Sequence, residues 1–449
     1  MFTKLFKSTL MLTRLNALFK IFFIFFISTL SYAETMNTTL DNGLKVVIKK
    51  DSRAPVVTSH LWYKIGSGDE QNGITGISHA LEHMMFKGTK KFPGSKFSDQ
   101  VEKFGGSENA FTSRDYTAYY QTVPKSFLED VIKMESDRMK NLQLKKSDFI
   151  KEIEVIKEER RLRTDDQSEA IAYEKLHATA FVNNPYHNPV IGWMEDLETM
   201  EVEDLQVWYD RWYSPNNATV VIVGDVDIKK TLQLVKKYYG PIKTMQLPVR
   251  KDKKEPKQFG TKLADLKIDG KQPYLIFGYK VPSLASSDMN YKDCFALYVL
   301  SSILSYGDNS RLSKELIRQK KVAYAVDSSY SLFARNDSLF LVDASPVSGI
   351  NLKNLEKEIE SILYSYKKSM VTKRDLDKIL AQVIAYEVYQ QDSLFYQAYV
   401  YGMTSTTVGS IDIIKKFTDY VGSVTSQDIM SVAKKYFVPT NKTVAYVNK

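Results

Sequence analysis

His79, Glu82 and His83 are the residues whose types and spacing could do chemistry in this chain. They lie in Gly76-Ile77-Ser78-His79-Ala80-Leu81-Glu82-His83-Met84-Met85-Phe86, which holds two of the five histidines, four residues apart. On an α-helix, positions i and i+4 share a face one turn apart, so both imidazoles can reach one metal ion. Glu82, at i+3 from His79, brings a carboxylate to the same place, free to handle a proton. Nitrogen ligands, an open position for water and a nearby base are what zinc chemistry asks for. The set still lacks a third protein ligand.

The elements around this helix must position it. It starts after Gly73-Ile74-Thr75-Gly76 and stops at Lys87-Gly88. Upstream, Asn42-Gly43 between apolar runs reads as a hairpin, and residues 56–63 alternate as a strand. Downstream, a helix over 96–104 ends on Gly105-Gly106, and residues 107–123 suit a pair of strands, the first exposed. An exposed strand beside a metal site can accept an extended peptide as an added strand. Helical periodicity returns over 127–140 and 146–163. On the second of these helices Glu152, Glu159 and Arg163 share a flank, since seven residues is nearly two turns. A carboxylate from that helix would complete a His-His-Glu set.

At this point the sequence resembles the pitrilysin/insulinase family of zinc peptidases, which includes the mitochondrial processing peptidases, and above all its smaller bacterial members. In that family an H-x-x-E-H helix is followed about 76 residues later by a metal-binding glutamate, within a pattern like E-R-x-V-I-x-x-E. Here Glu152-Ile153-Glu154-Val155-Ile156-Lys157-Glu158-Glu159 matches, with Ile153 in place of the usual arginine. The resemblance implies His79, His83 and Glu159 as ligands of one Zn2+ per chain, Glu82 as catalytic base, and Glu152 as a helper that orients or tunes the ligands. Gly105-Gly106-x-x-Asn109-Ala110-x-Thr112 matches the family's edge strand, which implies that Asn109, Ala110 and Thr112 bind substrate backbone. Family members carry an arginine and a tyrosine further on that reach across the cleft to substrate, which implies substrate binding for Arg318 and a catalytic part for Tyr324 in stabilising the oxyanion. Tyr324 fits the tyrosine; Arg318 is one position closer to it than usual, and Lys321 stands where the family has glycine. His60, His177 and His187 read as structural.

A length of 449 residues calls for more than one core. Residues 1–33 combine Lys4, Lys7, Arg14 and Lys20 with an apolar run, 21–27, and small residues at Ser31 and Ala33, as a cleaved signal peptide does. A start at Met11 gives a leader of more usual length. The expected location is across an inner membrane, in a bacterial periplasm, with no stable membrane anchor after processing. Without this segment the formal charge falls from +9 to +5, spread along the chain, which argues against a nucleic-acid partner. The single cysteine, Cys294, excludes an internal disulfide framework.

Pro215, Asn217, Thr219 and Val220 recur 224 residues later as Pro439, Asn441, Thr443 and Val444. This ordered repeat predicts two lobes of similar fold. Residues 34–246 form the catalytic lobe, 247–262 an exposed linker, and 263–449 a second lobe whose matching position, Ser302-Ile303-Leu304-Ser305-Tyr306, has no metal motif. The expected fold is α+β, two homologous lobes, each a mainly antiparallel sheet packed with helices, around a clam-like cleft. The expected function is zinc-dependent endoproteolysis of peptides or unfolded segments held as an extended strand. The alternatives are a non-catalytic peptide-binding or scaffold subunit, or a chain active only with a homologous partner; the expected assemblies are a homodimer or a heterodimer with a homologous subunit.

Overall fold

The computed structural model describes residues 34–251, 253–288 and 290–448. The expected signal peptide, 1–33, lies outside the described residues. No helix among the described residues is long and apolar enough to cross a membrane.

The strands form two sheets. The first contains β1 (Thr35–Thr39), β2 (Lys45–Lys50), β3 (Val56–Tyr63), β4 (Ser107–Thr112), β5 (Thr117–Pro124) and β6 (Ala218–Gly224), in the order β1-β2-β6-β3-β5-β4. Only the β2–β6 pair is parallel. The second contains β7 (Lys262–Lys267), β8 (Tyr274–Val281), β9 (Ala323–Tyr330), β10 (Ser338–Pro346) and β11 (Lys442–Asn448), in the order β7-β11-β8-β10-β9, with only β7–β11 parallel. This is the first sheet's pattern without β1, and the fold is the expected α+β. The repeat falls on matching elements: the turns Pro215–Asn217 and Pro439–Asn441 lead directly into β6 and β11. Each turn opens on proline, whose fixed φ suits a helical first position.

Five helices matter for the site: α1 (Ile77–Met84), α2 (Lys146–Arg160), α3 (Ser168–Ala180), α4 (Tyr291–Ser305) and α5 (Leu394–Thr407). Successive strand residues point to opposite faces. In the first sheet Val46, Ile48, Leu61, Tyr63, Val220 and Ile222 face the core that contains α1. The alternate residues Val47, Trp62, Val221 and Val223 face the other way, and there α5 from the second half covers them. At Gly402 of α5 a Cβ would come within 2.1 Å of Trp62 Nε1, so only glycine permits this approach. The arrangement is reciprocal. Ala172, Leu176 and Ala180 of α3, from the first half, pack on Ile276, Leu339, Leu341 and Val447 of the second sheet. Each half therefore lends the other a helix, and both sheets are buried on two faces. The stretch expected to be an exposed linker, 247–262, has no helix or strand at 247–251 and 253–261, and it is fastened down at Glu255. Glu255 accepts hydrogen bonds from the backbone N–H groups of Val182 (2.9 Å), Asn183 (2.9 Å) and Asn184 (3.0 Å), and from Lys280 Nζ (3.0 Å).

Candidate metal centre

Two carboxylates fix the start of α1. Glu70, fully buried, accepts the N–H groups of Gly76 (2.7 Å) and Ser78 (2.9 Å). Asp196 accepts those of Gly73 (3.2 Å) and Thr75 (3.0 Å). Gly76 and Ser78 are helix N-terminal donors with no intrahelical partner, and Gly73 and Thr75 belong to the loop that leads into the helix, so the two acids satisfy groups that would otherwise be orphaned. Gly76 has φ +85° and abuts the backbone of residues 191–192, where a Cβ would sit 2.4 Å from Ile191 O. With Ile77, Ala80, Leu81 and Met84 buried in the core, the remaining face of α1 carries His79, Glu82 and His83.

That face meets α2. Glu159 Oε2 lies 3.8 Å from His79 Nε2 and 3.4 Å from His83 Nε2, and the three ligand atoms fall within 4.8 Å of one another. Atoms about 2.0–2.2 Å from one tetrahedral zinc ion stand roughly 3.3–3.6 Å apart, so the donor set fits such an ion. Its chemistry fits as well. Burial, with smaller contributions from His83 and Arg163, pushes the His79 pKa down to about 3, which keeps its ring neutral. His83 Nδ1 is 2.9 Å from Glu152 Oε1, an acceptor, so Nδ1 carries a proton and Nε2 is the nitrogen that faces Glu159. Burial pulls the Glu152 carboxyl upward, but Lys87, 2.5 Å away, and His83 hold it below its ordinary range. Arg163 caps the other oxygen of Glu159 at 2.5 Å.

Glu82 is 9% exposed and accepts a 2.5 Å hydrogen bond from Thr112 Oγ1. Burial raises its pKa; Thr112 and His83 oppose the rise, and Glu159 adds to it. Thr112 ends β4, the edge strand of the first sheet, whose Asn109, Ala110 and Thr112 line a cavity of about 750 Å³ together with His79, Glu82, His83 and Glu159. The Asn109 side chain occupies the N–H of Ala110 at 2.8 Å, so this edge amide is satisfied in the free chain.

Other expected residues lie apart. Tyr324, on the edge strand β9, is 61% exposed and does not line the cavity. Arg318 donates to Asn309 Oδ1 (2.9 Å) and the Asp308 carbonyl (2.7 Å) and is also outside the lining. Lys321, which stands where the related pattern has glycine, takes φ +53°, the left-handed conformation glycine adopts freely. The described lining of the cavity comes from the first half alone. His177 and His187 line the cavity, each with Nδ1 donating to a backbone carbonyl (Tyr173, 3.0 Å; Asn184, 2.9 Å), and neither joins the ligand cluster. His60 is fully buried beside Thr58, 3.0 Å away. In the second half α4 takes the place of α1 in the order of elements and has no histidine; the only cluster of this kind among the described residues is the one on α1 and α2. Sequence reasoning missed Glu70 and Asp196, whose only signal is an acid near a helix start.

Comparison with known proteins gives concordant matches. Residues 45–193 match the family model described as insulinase (peptidase family M16), and residues 199–383 match the model described as peptidase M16 inactive domain. The zinc protease PqqE of Helicobacter pylori is 33% identical over 419 residues, covering 92% of each chain. A protease from Helicobacter pylori of known crystal structure has a TM-score of 0.88 at 32% identity, over 93% of this chain and 100% of that one. The periplasmic protease PqqL from Escherichia coli has the same fold, with a TM-score of 0.74 at 19% identity, over 92% of this chain and 47% of that one.

Proposed function

The chain belongs to the insulinase family, peptidase family M16, and on that premise we propose that it is a zinc-dependent endopeptidase. The observation that carries this reading is the convergence of His79 Nε2, His83 Nε2 and Glu159 Oε2 beside a buried carboxylate, Glu82. In it, His79, His83 and Glu159 hold one zinc ion, and Glu152 orients His83. A bound zinc would polarise the scissile carbonyl and make a nearby water more acidic. Glu82 takes the proton of the attacking water and returns it to the departing nitrogen. Thr112 holds the Glu82 carboxylate at the edge strand, where an extended peptide pairs with the outward-facing backbone of Ala110 and displaces the Asn109 side chain from its N–H. Tyr324 and Arg318 join the site only through a movement of the second half. Export to a periplasm by way of residues 1–33 belongs to the same reading.

The test is metal analysis of the purified full chain together with mass-spectrometric mapping of its cuts in a mixed peptide library. Stoichiometric zinc with internal cleavage is the expected result. Zinc without cleavage by the chain alone, with cleavage restored by a homologous subunit, would replace this reading by that of an obligate partner. Absence of zinc binding would overturn it. Within the same reading, Glu152→Ala removes the acceptor that fixes the tautomer of His83, and zinc affinity falls about 10- to 100-fold in chelator competition. An unchanged affinity would remove Glu152 from the site.

A further inference from the structure

The cavity at the metal centre is not a closed chamber. Arg114, Tyr173 and His177 line both it and a second chamber of about 340 Å³, which takes Tyr116 and Tyr186 from the first half and Tyr298, Phe333 and Tyr399 from the second. Arg114 sits in the turn between β4 and β5, two residues beyond Thr112. Its guanidinium is held in place: its centre lies 5.4 Å from the ring centroid of Tyr173 and 5.7 Å from that of Tyr186, and Nη1 donates to the Tyr173 hydroxyl at 3.0 Å. These contacts fix its position without cancelling its charge.

Among the described residues no carboxylate forms an ion pair with Arg114, because the neighbouring acids are committed elsewhere. Asp115 faces Arg335 and Tyr186, Glu174 pairs with Arg160, and Glu159 pairs with Arg163. Arg114 Nε is buried with no acceptor, so most of a five-donor fork built for carboxylates goes unused. The effect of its charge on His177 agrees: burial first and Arg114 second hold that imidazole neutral.

We propose that Arg114 recognises a carboxylate on the bound peptide, supplied by an acidic side chain or by the C-terminus. The inference rests on the peptidase reading and names a preference within it. A peptide added along β4 advances about 3.4 Å per residue, so Arg114 reads a position within about two residues of the bond to be cut.

The experiment uses the full chain and fluorescein-labelled peptides that differ by Glu or Gln at a single position, each made with a free or an amidated C-terminus. Cleavage is measured with the unmodified chain and with Arg114→Gln, and binding by anisotropy in a Glu82→Gln background with and without Arg114→Gln. The expected result is an advantage of about 10- to 100-fold in kcat/KM for one acidic peptide over its neutral twin, the size of a charge-assisted hydrogen bond. Arg114→Gln abolishes this advantage and leaves cleavage of the neutral twin within a few-fold. An advantage that follows the Glu/Gln exchange identifies a side chain as the source, and one that follows the free acid identifies the C-terminus. Cleavage with no acid preference, or an equal loss on every peptide in Arg114→Gln with an unchanged melting curve, overturns the inference and leaves the peptidase reading standing. Neither cleavage nor binding of any peptide overturns both. Should Arg114→Gln fail to fold, Arg114→Lys serves in its place: it keeps the charge and loses the fork, and a preference undiminished in that variant overturns the role of the fork.

Discussion

Glu82→Gln is expected to leave zinc binding at its original stoichiometry and to lower peptide cleavage by about 10²- to 10⁴-fold, the usual weight of a general base. The substitution is nearly isosteric. The side-chain carbonyl of glutamine can still accept the hydrogen bond from Thr112 that Glu82 accepts at 2.5 Å. What is lost is the capacity to take a proton. A solvated glutamate is a weak base; burial raises the proton affinity of Glu82 and so strengthens it for this task, against the opposing pull of Thr112. Steady-state kinetics on a peptide that the unmodified chain cuts, with zinc counted by plasma mass spectrometry on the same samples, checks both halves. Cleavage at the original rate would remove Glu82 as the base. Loss of zinc along with activity would give it a structural part instead.

The legible parts of this molecule are those in which local geometry speaks. Two histidines four residues apart must share a helical face, and the alternation in β3 must divide its side chains between two faces, as Leu61 and Trp62 do. The partner of the histidines was less legible: several acids on α2 would serve, and the choice of Glu159 came from the resemblance rather than from periodicity. Long-range polar contacts were not legible at all. A buried aspartate such as Asp115 reads like a solvated one, and nothing beside Arg335 in the chain points to a partner 266 residues away in Asp69. Nor was the exchange of helices visible. A helix packed between two halves, such as α3, loses the single apolar stripe that marks a surface helix, so its second neighbour leaves no separate trace. The same limit applies to Tyr324 and Arg318: a motif can specify a strand and its turn, but not how far a side chain reaches across a cleft.

Arg335→Met is expected to destabilise the chain by about 3–5 kcal/mol, the cost of leaving buried charges unpaired. Arg335 comes from the turn between β9 and β10 and enters the first half, where Nη2 lies 2.8 Å from Asp69 Oδ2 and Nε 3.4 Å from Asp115 Oδ1. Its backbone N–H donates to Asp115 as well, at 3.0 Å. Asp69 also receives Arg250 at 2.8 Å, which ties in the segment between the halves. Methionine fills much of the volume and leaves both acids buried, Asp69 with Arg250 and Asp115 with only the Tyr186 hydroxyl and the backbone N–H of residue 335. Burial already raises the pKa of Asp115, and Arg335 is the leading influence that lowers it. Without Arg335 the pKa climbs further. Asp115 then folds more easily protonated than charged, so the penalty is full at neutral pH and shrinks on acidification. Urea denaturation of both chains at a neutral and a mildly acidic pH measures this difference. Pairing the change with Asp115→Asn in a double-mutant cycle should return about 0.5–3 kcal/mol, the range for groups in direct contact. A penalty that is small at neutral pH, or that grows on acidification, would show that Arg335 does not hold the halves together through its charge.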